Sequence, residues 1–179
     1  MGKSIEEKIQ ENHIIFVHSE MNAAQTNKVI MNLMSWNRES EKSEINVYLS
    51  AEAWDFINTF AIYDVLKKIN NPINIFCIGI VRGLAPVLLD TASKGRRFAL
   101  KHTLFYLDQP FGGIDAGSVQ QTEVEIVARE TTLERNTYEE IMAKMTNKPI
   151  EEIHQDAENK RELTAEEAKA YGLIDEILE

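Results

Sequence analysis

The stretch CIGIVRGLAPVLLDTASKGRRFAL, residues 77–100, decides how the rest of the chain is read. It opens as an apolar strand, CIGIV, passes through a turn of small residues, and continues into an apolar helical run over 86–93 that Lys94-Gly95 closes. Strand, tight turn and helix in that order is the layout in which many hydrolases expose a serine at a helix N-terminus. Here the turn is Arg82-Gly83-Leu84-Ala85, with no serine, cysteine or threonine. The scaffold for a nucleophile is present and the nucleophile is missing.

Working outward, residues 14–17 (IIFV) read as a first buried strand. Asn22 is placed to cap a helix reaching about Trp36, with Val29, Ile30, Leu33 and Met34 at helical spacing. A second strand covers 46–50. A second helix covers about 55–69, with Phe56, Phe60, Tyr63 and Leu66 on one side and Asn70-Asn71-Pro72 as its stop. A third strand spans 73–81, and two more fit around 97–100 and 103–107. After the turn-rich QPFGGIDAG, one helical pattern without proline or glycine runs over about 118–145. Either it projects to meet a partner or it lies across the domain. Thr164 with Glu167 forms a capping box for a short last helix, which Gly172 ends. Strands alternating with helices indicate an α/β fold with parallel strands, in a single domain over 1–179.

Composition narrows the function classes. The apolar fraction of 44% and charged fraction of 27% are those of an ordinary soluble globular chain. A net charge of -10 argues against a nucleic-acid partner, which needs a basic face. No apolar run is long enough for a bilayer, and the opening MGKSIEEKIQENH lacks the apolar core of an export signal. The single cysteine, Cys77, leaves no internal disulfide, so a reducing cytoplasm is expected. No HxxxH, CxxC or glycine-rich phosphate loop occurs, so neither metal nor cofactor is expected.

The order of short blocks resembles the proteolytic subunit of the Clp protease, within the crotonase-like superfamily. These blocks are HIIFV, AIYDVLKKI (61–69), IFCIGI (75–80), KGRRFAL (94–100), DQPFGG (108–113), ARETTL (128–133) and the terminal LTAEEAKAYGLIDEIL. They stand in the order and spacing of that family from about residue 12 onward. The resemblance implies a ββα superhelical core with a long handle helix, the handle region covering about 112–146. It also implies rings of seven, single or stacked as a double ring, that enclose a chamber fed by an unfolding Clp ATPase.

The same resemblance assigns site positions. A peptidase of this kind uses a hydroxyl to attack the carbonyl, an imidazole to take its proton and a carboxylate to orient the imidazole. The serine position is Gly83, and the histidine position, before Gln109-Pro110, is Asp108. Counting back from Thr164-Ala165 puts the aspartate position at Lys160, with Asp156 and Glu158 as carboxylates within a slip of the register. The oxyanion turn, Ser-Pro-Gly-Gly in the family, is Ala51-Glu52-Ala53-Trp54. Glycine serves close approach of the backbone there, whereas Glu52 would repel a developing anion. Arg82 either pairs with Asp108 or points into solvent.

Departure at all of these positions implies a subunit of an ATP-dependent serine endopeptidase family that assembles without cutting. It would form homomeric rings, or mixed rings with catalytic paralogues. Two alternatives stay open. One is a peptidase with a substitute set drawn from Ser50, Thr59, Thr91 and the histidines His13, His18, His102 and His154. The other is a crotonase-like binder of an acyl-thioester or other small ligand, against which the AEAW turn argues.

Overall fold

The computed structural model describes residues 2–19, 21–53, 55–109 and 121–179, and for residues 121–123 the backbone alone. Within them the chain runs α1 (Ile5–Glu11), β1 (Ile14–His18), α2 (Ala23–Glu39), β2 (Ile45–Ala53), α3 (Phe56–Lys68) and β3 (Ile73–Gly83). It continues β4 (Arg97–Leu100), β5 (Leu104–Leu107), α4 (Gln121–Thr146), α5 (Ile150–Glu158), β6 (Arg161–Leu163), α6 (Ala165–Tyr171) and β7 (Glu176–Leu178). The strands form one sheet in the order β1-β2-β3-β4-β7, with β5 and β6 branching from β3. All pairs are parallel except β5 with β6. Mixed α/β architecture of this kind is the expected ββα superhelical class.

Local chemistry explains where the helices begin. Asn22 and Gln25 make a reciprocal capping box for α2, and Asp55 caps α3 through the Asn58 amide. Alternation then sets the sheet faces. In β2, Ile45, Val47, Leu49 and Ala51 are buried. They pack in a core with Leu33 and Trp36 of α2 and Ile62 and Leu66 of α3. The opposite face carries a ladder of stacked rings, Phe16–Tyr48–Phe76–Phe98, with centroids 5.0 to 5.3 Å apart. Its outermost ring, Phe16, is 50% exposed.

Strand β3 organises the site. Its register with β2 steps from Leu49↔Cys77 to Ala51↔Val81, a bulge that bends the strand. Below the bulge β3 pairs with β4 through residues 75–77, and above it with β5 through Ile80 and Val81. At the changeover the buried Thr103 hydroxyl donates to the Cys77 carbonyl at 3.0 Å. The lower layer is clasped by Arg97, whose guanidinium donates to both carboxylate oxygens of Asp175 and to the Gly172 carbonyl.

The helical run expected over 86–93 is instead a 3-10 helix over Ala85–Thr91. Pro86 lies in its first turn, and Ala85, Pro86, Val87, Leu88, Leu89 and Thr91 are all buried. Its one polar side chain turned outward is Asp90, held by the Tyr63 hydroxyl and the Lys67 ammonium, and the rest of the segment plugs the core as a tight coil. Elements α1, α5, β6 and β7 go beyond the sequence reading. The expected long helix is α4, about 39 Å from end to end at the usual rise. Tyr138 and Met142 anchor its C-terminal half, whereas residues 124–137 contain no buried side chain. Residues 112–120 of the expected handle region lie outside the described residues.

Two expected outcomes follow from these anchors. Gly172 ends α6 at φ +97°, and an added Cβ would sit 3.3 Å from the Thr146 carbonyl oxygen. Gly172→Ala should cost about 1–2 kcal/mol in urea unfolding, through left-handed strain. At the base of α4, His154 meets the buried Glu139 at 2.6 Å and Glu158 at 3.3 Å. The hydrogen bond to Glu139, then its charge, raise the His154 pKa. This stabilisation is full below the unfolded histidine value of about 6.5 and is lost as pH rises through the higher folded value. The stability gap between the parent chain and His154→Gln should therefore be widest below about pH 6.5 and shrink above it. A gap that widens with rising pH would contradict the assignment.

Candidate functional site

Three strands converge where a peptidase of the expected family would hold its reacting groups. Gly83 ends β3, Asp108 directly follows β5, and Lys160 directly precedes β6. Leu107 pairs with Arg161 in the antiparallel β5–β6 ladder, so one further step sets Asp108 against Lys160. Asp108 and Lys160 thus flank the Leu107–Arg161 end of that ladder.

Gly83 has φ +66°, a left-handed conformation that a side chain enters only with strain. The preceding residue fills the site. The Arg82 Nε donates to the Asp108 carboxylate at 2.8 Å, and a second guanidinium nitrogen lies 3.9 Å from Glu52. The guanidinium also covers the Tyr106 ring at 5.1 Å. Of the two orientations left open by the sequence, Arg82 takes the paired one. The Asp108 residue is 3% exposed, while the Arg82 side chain keeps 32% of its surface in water. Its hydrogen bond to Asp108 raises the Arg82 pKa, so the guanidinium stays charged. Asp108 is thus engaged in a salt bridge with Arg82.

The stretch expected as the oxyanion turn lies in a continuous strand. β2 does not turn away after Ala51; it continues, pairing Ala51, Glu52 and Ala53 with Val81, Arg82 and Gly83. The Leu84 amide then donates to the Ala53 carbonyl at 2.7 Å. In a nucleophile elbow the N–H after the nucleophile position is one that must be free to receive the developing oxyanion. Here a backbone carbonyl occupies it. The last residue of the AEAW turn, Trp54, lies outside the described residues.

The remaining candidates are engaged elsewhere. Lys160 is exposed at φ +51° in the turn before β6. Asp156 accepts from Arg161 at 3.0 Å and from the Tyr171 hydroxyl at 2.7 Å, and Glu158 faces His154. The Thr91 hydroxyl donates to the Leu88 carbonyl. His13 stacks on Trp36, and the His18 Nδ1–H donates to the Ser19 carbonyl. Ser50 lies beside Gly79, Thr59 is buried in α3, and His102 is exposed in the β4–β5 turn. Among the described residues no hydroxyl is hydrogen-bonded to an imidazole, and no cluster of three or more histidine, cysteine or acidic side chains could hold a metal. Cys77 is buried, and burial pushes its thiol pKa up. No described helix is long and apolar enough to cross a membrane.

Sequence reasoning singled out Arg82, Asp108 and Glu52. It missed Tyr106 beneath the guanidinium and the Leu84–Ala53 hydrogen bond. Tyr106 had a signal, since it lies two residues before Asp108, with opposite strand parity to the buried Phe105 and Leu107.

The Clp protease family model matches residues 2–179 of the chain. ATP-dependent Clp protease proteolytic subunit 1 of Rhodopirellula baltica is 33% identical over 168 residues, covering 94% of this chain and 73% of that protein. The subunit of the same name from Thermobifida fusca is 34% identical over 171 residues, covering 96% and 76%. A match over nearly the whole chain, together with the mixed α/β fold, places the chain in the Clp protease family.

Proposed function

We propose that this chain is a non-cutting Clp-type subunit that contributes shape and contact surface to a degradation chamber. It assembles into homomeric rings, as a heptamer or stacked double ring, or into mixed rings with catalytic paralogues, with a Clp ATPase as the feeding partner. The reading rests above all on the Arg82–Asp108 ion pair, which spends the imidazole position on a structural contact. The carbonyl of Ala53 on the Leu84 amide supports it independently, because it removes an oxyanion donor without involving any triad position.

Two surfaces support assembly. Val124, Ile126 and Leu133 are exposed along the part of α4 that buries nothing. The stacked ladder from Phe16 to Phe98 is a second apolar surface on the sheet face away from the α2–α3 core. Contact between subunits would cover these exposed apolar side chains.

The purified chain should cleave neither short fluorogenic peptides nor unfolded casein, and should not react with a fluorophosphonate probe. Labelling together with turnover would sink the reading. Restoring Gly83→Ser alone should leave activity at background, because no imidazole faces it and the Leu84 amide is taken. Native mass spectrometry, of the chain alone and mixed with a catalytic paralogue, should show rings; a strict monomer in both would overturn the assembly part. The ion pair has its own signature. Arg82→Met should destabilise by about 1–3 kcal/mol, discounted for its partial exposure, because it strands a buried carboxylate. Adding Asp108→Asn should recover part of that loss in a double-mutant cycle.

A further inference from the structure

Apart from the filled peptidase position, the molecule contains a cavity of about 370 Å³ where β1, β2, α2 and α3 meet. Val17, Ile62 and Leu88 contribute apolar walls, and Met21 lies at its side. The Thr26 side chain also lines it; the residue is 2% exposed and its hydroxyl has no hydrogen-bond partner. Buried hydroxyls are nearly always paired, so a lone one beside a cavity points to an occupant that completes it.

The mouth limits the chemistry of that occupant. Its charged lining residues are Glu52 and Asp55, and the nearest cation is the Arg82 guanidinium, 3.9 Å from Glu52 and already paired with Asp108, so two carboxylates face the mouth against one shared cation. His18 adds an acceptor. Its Nδ1–H is used on the Ser19 carbonyl, which leaves Nε2 as the ring nitrogen available to a ligand. The rim is held in place rather than left to float. The Glu52 amide donates to the Ser19 hydroxyl at 2.8 Å, and Asp55 is fixed by the backbone and side-chain amides of Asn58 at 2.9 and 2.7 Å. An anionic ligand would meet two carboxylates, whereas an ammonium would meet acceptors.

We propose that this cavity is a binding site for a small organic cation: a compact apolar body that enters between α2 and α3, carrying an ammonium group that stays at the Glu52–Asp55 rim. The Thr26 hydroxyl meets a polar atom of the inserted body. The cavity borders the Ala51–Ala53 stretch expected as the oxyanion turn, and ligand binding there is read without any peptide cleavage.

The test compares 2-phenylethylamine, 2-phenylethanol and 3-phenylpropionate, three probes with one apolar body and three charges. Binding to the intact assembled protein is followed by methyl NMR of labelled methionines, with the Met21 signal assigned through Met21→Leu. The amine should shift the Met21 methyl saturably and bind at least about tenfold tighter than the carboxylate. Thr26→Val should weaken the amine about threefold to tenfold, and Glu52→Gln with Asp55→Asn should remove its advantage over the alcohol. Equal or tighter binding of the carboxylate or the alcohol, or amine shifts that never saturate at Met21, would overturn the proposal. The three-probe comparison on the unsubstituted chain decides this even if a variant does not fold.

Discussion

One edge of β3 has to satisfy two partners in succession, β4 below the bulge and β5 above it, while β2 follows the other edge throughout. Backbone polar groups cannot be left unpaired inside a protein, so the changeover needs a substitute partner. The Thr103 hydroxyl on the Cys77 carbonyl is that substitute. The bend carries Ile80–Gly83 toward β5, and this is what brings Arg82 to Asp108. The site is a consequence of how a single strand divides its hydrogen bonds.

Once brought together, those positions are used for cohesion. A charge-assisted contact between Arg82 and the buried Asp108 ties β3 to the end of β5, with Tyr106 beneath the guanidinium and Glu52 at its rim. A catalytic centre needs groups held apart and unsatisfied until substrate arrives, whereas these groups satisfy one another. The Leu84 amide follows the same logic, since the extension of β2 to Ala53 gives it a permanent acceptor. Both contacts leave the strand order intact.

Much of the fold could be read from the residues. Asn22, Asp55 and Thr164 start helices through side-chain caps that act within one turn, so the starts of α2, α3 and α6 were visible locally. The strands β1 to β5 were visible as apolar runs between turn residues. The 3-10 coil over Ala85–Thr91 was not, because helical periodicity cannot tell an α-helix from a tighter coil buried on nearly every side. Strands β6 and β7, three residues each, carry too little pattern; they exist because β5 and β4 offer them open edges. For α5, Pro149 and the spacing of Ile153 and Ala157 were available signals that the sequence reading did not use.

The sequence by itself determined the absence of a hydroxyl at Gly83 and of an imidazole at Asp108, because side-chain chemistry is a property of each residue wherever it lies. It also determined the family order of blocks and the helix that became α4. Only the tertiary structure decided whether Arg82 faced Asp108 or solvent, and whether the Leu84 amide stayed open. Those outcomes depend on the register of β2 against β3 and of β5 against β6, and register is set by packing between segments distant in the chain.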